Sequence, residues 1–211
     1  ENMLVKEFEC SRNTIRRAIG QMASEGYVQS IHGKGVRIIY QPGQQQSEFI
    51  LGGIDSLKEA AARNRKNYTT RVVCFAELTV DETIQRRTTF PVGAQIYYIQ
   101  RVRCIEGEAL IIDHNYFLKD VVRDLTPEIA ERSIYEYMEN DLGESIVTTK
   151  RKMTVERVNQ IDETYLDLKD YNCMAVVSSM TYNKEGVMFE FTQSRHRPDR
   201  FVFYDLAHRT K

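Results

Sequence analysis

Arg101, Val102 and Arg103 stand inside the apolar run QIYYIQRVRCI at 95–105, so an extended strand puts both guanidiniums on one face of a sheet. Two cations on a half-buried face need an anion, because isolated buried charge is costly and a guanidinium is a planar fork of donors suited to phosphate or carboxylate oxygens. The following run, ALIIDHNYF at 109–117, carries Asp113, and Glu106-Gly107-Glu108 between the runs reads as a hairpin loop. A loop of three residues is odd, and it sets Asp113 on the same sheet face as Arg101 and Arg103. Two chemistries follow. Either Asp113 neutralises Arg101 and the cluster is structural, or an external phosphate sits on Arg101 and Arg103 and leaves Asp113 for sugar hydroxyls.

Nothing else in the chain spells reaction chemistry. His114 follows Asp113 and therefore points to the opposite face of the strand, while His196 in SRHRPDR either reaches the pocket or, the preferred reading, belongs to a basic turn. There is no metal-ligand spacing, no Ser-His-Asp pattern and no phosphate-loop motif. The expectation is no catalytic residue, no metal and no cofactor. Cys10, Cys74, Cys104 and Cys173 lie far apart without a C-x-x-C pair, which fits reduced thiols in a cytoplasmic protein. No apolar run approaches the roughly 18 residues that a bilayer requires, so no membrane partner is expected.

The elements that would position these residues are legible in outline. Ser56 precedes the helix formers of SLKEAAARN, and Ser133 precedes IYEYMENDL with Gly143 as a C-terminal stop. Each helix start supplies a hydroxyl and backbone N–H groups suited to a phosphate oxygen. Strands are expected from Tyr68 to Leu78, on both sides of residues 106–108, and in MAVVSSMTY, VMFEFTQSR and FVFYDLA, with NKEG and RPD as turns. This is an α+β pattern with a largely antiparallel sheet and flanking helices.

The front of the chain is different. Residues 12–25 place Ile15, Ala18, Ile19 and Met22 on one helical stripe and Asn13, Arg16, Arg17 and Gln21 on the opposite arc. Ser11 is positioned as N-cap and Gly26 as the stop, and Met3, Leu4 and Phe8 suggest a short helix just upstream. Then YVQSI and VRII bracket His32-Gly33-Lys34-Gly35, a hairpin tip whose glycines permit close approach to a phosphate backbone or a minor groove. With 29 Lys and Arg against 30 Asp and Glu the whole chain carries a net charge of -1. Between residues 12 and 37, however, Arg12, Arg16, Arg17, Lys34 and Arg37 face Glu25 alone. That local excess is the footprint of a winged helix-turn-helix on double-stranded DNA, with Arg12, Thr14, Arg16 and Arg17 on the recognition helix and His32, Lys34 and Gly35 on the wing. QPGQQQS at 41–47 reads as a linker, giving a DNA-binding domain at 1–40 and a second domain at 48–211.

ENMLVKEFECSRNTIRRAIGQMASEGYVQSIHGKGVRI resembles the winged helix-turn-helix of GntR-type bacterial transcription regulators. The remainder resembles the effector-binding (UTRA) domain of their HutC subfamily, which implies a chorismate lyase-like fold. The resemblance also implies a further helix ahead of Glu1, because the chain starts in what matches the family's second helix. HutC-type domains bind phosphorylated sugars through an Arg-x-Arg strand and a Ser-x-Tyr pair, here Arg101, Arg103, Ser133 and Tyr135. The resemblance extends that set to Ser56, Leu57 and Lys58 at the phosphate and to Glu190 and Arg195 at the sugar. GGIDSLKEAAARN, ELTVDE and SRHRPDRFVFYDLA are similar to regulators of trehalose operons, which implies trehalose 6-phosphate as effector. The expected protein is then a homodimeric repressor released from its operator by that effector. Two alternatives stay open: a regulator answering to another phosphosugar or a carboxylate, and an enzyme acting on a small anionic substrate.

Overall fold

The computed structural model describes residues 2–40, 49–50 and 67–204. The chain divides into two compact units, one of residues 1–52 with 203–211 and the other of residues 53–202. The linker at 41–47 and the helix expected from Ser56 lie outside the described residues.

In the first unit, α1 (Asn2–Glu7) and α2 (Arg12–Ser24) are followed by the antiparallel hairpin β1 (Val28–Ile31) and β2 (Gly35–Ile38). The Ser11 side chain accepts from the Thr14 amide and caps α2. Gly26 and Gly33 adopt φ of 79° and 73°, a region costly for residues with a Cβ, and so end the helix and turn the hairpin. The expected apolar stripe is only partly covered: Ile15 is buried, Ile19 half-buried, and Ala18 and Met22 are exposed. The backbone of β3 (Phe49–Ile50) runs parallel to β10 (Phe203–Tyr204), so the described part of the last expected strand pairs with β3 and does not join the large sheet.

The second unit is built on one six-stranded antiparallel sheet, ordered β4 (Tyr68–Thr79), β5 (Gln95–Ile105), β6 (Glu108–Leu118), β9 (Met188–His196), β8 (Cys173–Asn183) and β7 (Ile146–Arg157). Both faces are covered. On one, α4 (Pro127–Glu131) and α5 (Ile134–Asn140) close over Tyr97, Ile99 and Phe117, with Met138 of α5 buried among them. On the other, α3 (Glu82–Thr88) covers Ile96, Tyr116 and Phe191, and α6 (Gln160–Tyr165) with Leu166 covers Val102, Ile112 and Val176. Each helix is fixed by its own cap, Asp81, Thr126, Ser133 or Asn159, whose side chain accepts a first-turn amide. α5 stops at Asn140, three residues before Gly143, whose φ of 66° turns the chain after the helix. No helix among the described residues is long and apolar enough to cross a membrane.

The β5–β6 hairpin departs from expectation in a way that matters. Its turn is the two-residue pair Glu106-Gly107, not a three-residue loop, and Ile105 pairs with Glu108. Asp113 nevertheless lies opposite Arg101, because β6 carries one extra residue, Leu110, between Ala109 (opposite Cys104) and Ile111 (opposite Arg103). A bulge supplies the odd count that the loop does not.

Candidate functional site

Strand pairing brings Arg101 opposite Asp113, Asp113 opposite Ser194, and Phe117 opposite Glu190, so these residues share the sheet face that α4 and α5 cover. Arg101, Arg103, Asp113 and Glu190 are all buried. Arg103 Nε donates to Asp113 Oδ2 at 2.8 Å and its Nη1 to Thr70 Oγ1 at 3.0 Å. Arg101 Nε donates to Asn115 Oδ1 at 2.8 Å and Nη1 to the Ala130 carbonyl at 3.3 Å, but its Nη2 lies 3.7 Å from Asp113 Oδ2. Asp113 therefore serves Arg103 first and Arg101 only weakly, unlike the structural alternative, in which it neutralises Arg101. The Ser194 hydroxyl donates to the other Asp113 oxygen at 2.6 Å.

A relay of hydrogen bonds continues from Arg101. Asn115 Nδ2 donates to Thr192 Oγ1 at 2.7 Å, Thr192 to Glu190 Oε1 at 2.6 Å, and Tyr135 Oη to Glu190 Oε2 at 2.6 Å. Tyr135 reaches down from α5, whose first cap, Ser133, lines an open cavity of about 990 Å³. Thr70, the acceptor for Arg103, lines the same cavity together with Tyr68, Thr69, Arg132 and Tyr137.

Burial dominates the electrostatics. It lowers the Arg101 guanidinium to about 9; the like charge of Arg103 adds to this and Asp113 and Glu190 only partly restore it. The same burial works to raise the Asp113 carboxyl, but Arg103, Arg101 and Ser194 outweigh it and hold the group at about 2. Tyr135 is pushed well above its ordinary value by burial and by Glu190.

The sheet contains a control for this cluster. Arg195 is buried on the opposite face, where its guanidinium meets Asp162 at 2.8 Å, Glu156 at 2.6 Å and the Arg157 carbonyl at 2.9 Å. Arg197 meets Asp199 at 2.7 Å and Glu108 at 2.8 Å. Each of these two arginines has two carboxylates within salt-bridge distance, whereas Arg101 and Arg103 share Asp113 alone among the described residues.

Two expectations are corrected here. Arg195 does not join the cluster, because it is five residues from Glu190 and an odd separation in a regular strand means opposite faces. Its role is to anchor α6 through Asp162. His196 is not part of a basic turn; it ends β9, is 5% exposed, and pairs opposite Ile111 on the arginine face. The residues expected to read DNA are all on exposed surface in the first unit: Arg12, Thr14, Arg16 and Arg17 on α2, and His32, Lys34 and Gly35 on the hairpin tip. Arg12 also donates to Asn2 Oδ1 at 2.9 Å and so ties α1 to α2. Ser56, Leu57 and Lys58 lie outside the described residues. Among the described residues, no group of three or more His, Cys, Asp or Glu could hold a metal ion.

Residues 1–38 match the bacterial regulatory proteins of the gntR family, and residues 63–202 match the UTRA domain. The chain is 36% identical over its full 211 residues to the HTH-type transcriptional regulator TreR of Bacillus subtilis, of which it spans 87%. It is 28% identical to the regulator GmuR of the same organism, with 96% of this chain and 85% of that one aligned. Among solved structures, the effector-binding domain of the B. subtilis trehalose repressor superposes with a TM-score of 0.61 at 38% identity, covering 68% of this chain and 99% of that one. The possible transcriptional regulator YydK of B. subtilis shares the fold across 98% of this chain and 87% of its own, with a TM-score of 0.82 at 22% identity. The chain belongs to the gntR family of bacterial regulatory proteins and carries a UTRA domain.

Proposed function

We propose that the protein is a ligand-controlled transcriptional repressor whose arginine cluster receives the phosphate of a sugar phosphate, trehalose 6-phosphate. The observation that carries the anion reading is the shortage of negative charge at Arg101 and Arg103, which share one carboxylate where Arg195 and Arg197 have two each. A phosphate oxygen supplies the acceptor that Arg101 Nη2 lacks within hydrogen-bond distance among the described residues, and a charge-assisted contact in a buried site is stronger than in water. Ser133 donates its hydroxyl proton to the same anion from the cavity wall, while Asp113, Tyr135 and Glu190 face the sugar hydroxyls. The choice of trehalose rests on similarity to the B. subtilis trehalose repressor, at 36% identity over the chain and 38% over its effector-binding domain.

At the other end, α2 enters a major groove with Arg12, Thr14, Arg16 and Arg17, and His32, Lys34 and Gly35 touch the adjacent backbone or minor groove. A homodimer presents two such readers to a two-fold operator. The effector acts by binding one arrangement of the dimer better than the one that grips DNA, and that difference in affinity sets the size of the response. Calorimetric titration of the protein with trehalose 6-phosphate, trehalose and a panel of carboxylates tests the effector. Binding of the phosphosugar, none of free trehalose, and loss of binding in Arg101→Ala with Arg103→Ala at unchanged operator affinity are expected. Binding of a carboxylate alone would overturn the effector assignment.

A further inference from the structure

We propose that Arg197 is a positioning residue of the anion site: it clamps the bulge in β6, and the bulge is what turns Asp113 toward Arg101 and Arg103. If β6 ran on in regular register without the bulge, pairing onward from Cys104 and Ala109 would set Leu110 opposite Arg103 and Ile112 opposite Arg101. Asp113 would then project from the other face, since a slip of one residue exchanges the two faces of a strand. The carboxylate would leave its arginines and enter the apolar layer beneath α6.

A bulge interrupts its own ladder and needs partners from outside it. Those partners converge on Arg197, which is fully buried. Its backbone N–H donates to the Leu110 carbonyl at 3.0 Å. Its side chain spreads in three directions, with Nη2 on Glu108 at 2.8 Å, Nη1 on the Asp167 carbonyl at 2.6 Å and Nε on Asp199 at 2.7 Å. Asp167 in turn holds Ala109 twice, accepting from its amide at 2.8 Å and donating to its carbonyl at 3.0 Å. Glu108, Ala109 and Leu110 are thus held by Arg197 or by the residue Arg197 holds. Only a guanidinium has donors arranged to reach three acceptors around one plane; a lysine offers a single nitrogen.

The consequence for ligand affinity rests on the reading of Arg101 and Arg103 as an anion site, so the test separates the two claims. The side-chain Nε–H resonance of Arg103, which is hydrogen-bonded to Asp113, reports the clamp without any ligand. Titration with inorganic phosphate and trehalose 6-phosphate reports the site. Arg197→Met is compared with Arg197→Lys and with Phe90→Leu, a core substitution in the separate cluster under α3. In Arg197→Met, the Arg103 resonance is expected to shift and exchange faster and phosphosugar affinity to fall about tenfold, the size of one lost charge-assisted hydrogen bond. Arg197→Lys recovers part of both, and Phe90→Leu changes neither despite lowering stability. An unchanged Arg103 resonance in Arg197→Met, or an equal loss of affinity in Phe90→Leu, overturns the proposal. Should Arg197→Met fail to fold, Glu108→Gln decides: it shifts the same resonance in the same direction or the clamp is refuted. A wild type that binds neither probe defeats the anion reading, while the resonance still decides the clamp.

Discussion

Replacing Asp113 with asparagine keeps the shape of the strand and removes the carboxylate that Arg103 meets at 2.8 Å and Arg101 at 3.7 Å. The cost can be reached by two routes. The carboxyl is held at about 2 in the fold because Arg103, Arg101 and Ser194 outweigh burial. A group titrating there, against about 4 in the unfolded chain, contributes roughly 2–3 kcal/mol of stability near neutral pH. Because the folded value is depressed, this contribution is fully present above about pH 4 and is lost as the pH falls toward 2. The second route counts what remains: removing one partner of a buried ion pair leaves the other charge uncompensated and costs about 3–5 kcal/mol. The two agree near 3 kcal/mol, a large part of the roughly 5–15 kcal/mol that stabilises a typical protein.

The sharper expectation concerns anions. With Asp113 neutral, neither guanidinium has a carboxylate within salt-bridge distance among the described residues, so phosphate in the medium should stabilise Asp113→Asn more than it stabilises the wild type. Urea unfolding in chloride and phosphate buffers of matched ionic strength measures this directly. The variant should lose about 3 kcal/mol in chloride and regain at least about 1 kcal/mol of that in phosphate, which requires phosphate only several-fold above its dissociation constant. An identical loss in both buffers would refute the claim that these arginines are short of negative charge.

Arg195→Met should destabilise the fold by about 3–5 kcal/mol, since it strands the buried Asp162, yet leave phosphosugar affinity unchanged in calorimetry; a matching loss of affinity would return Arg195 to the site. Burial holds His114 and His196 at about 4, below their unfolded value of about 6.5, so the unfolded chain binds more protons between those limits. Stability should therefore fall as pH drops from about 6.5 toward 4, by up to about 3 kcal/mol per ring, and His114→Asn or His196→Asn should each flatten that slope by about one proton in denaturation followed against pH.

How much of this was readable in the residues depends on which signal each element leaves. α2 announced itself through Ser11, the Ile15–Met22 spacing and Gly26, since cap, stripe and stop are all local. The wing was legible for the same reason. β7 was not, because as an edge strand of alternating exposure it mixes Val147, Met153 and Val155 with Lys150 and Lys152 and shows no continuous apolar face. The helices α3, α4 and α6 span five to seven residues, too few to display a helical period. The bulge at Leu110 left no mark, so the right face for Asp113 followed from a wrong loop length. Arg195 was decidable from counting alone, as its odd distance from Glu190 already forbids a shared face. His196 was not, because carboxylates that neutralise the charge-rich SRHRPDR segment come from Glu108, Glu156 and Asp162, distant in the chain.

The contrast among the four buried arginines bears on what the cluster is for. A fold that needed Arg101 and Arg103 only as struts could neutralise them as it neutralises Arg195 and Arg197, with acids supplied from α6 and from the turn after β9. It instead leaves them, among the described residues, one shared carboxylate within salt-bridge distance, and spends the oxygens of nearby Glu190 on Tyr135 and Thr192. That arrangement sacrifices stability in the unliganded state, because desolvated positive charge is left under-compensated. In the proposed reading the same deficit supplies binding free energy to an incoming anion, which shifts the regulator only as far as its affinities for the two states differ. Filling the deficit internally, for example with Thr70→Asp beside Arg103, should then stabilise the free protein and abolish its response to phosphosugar together.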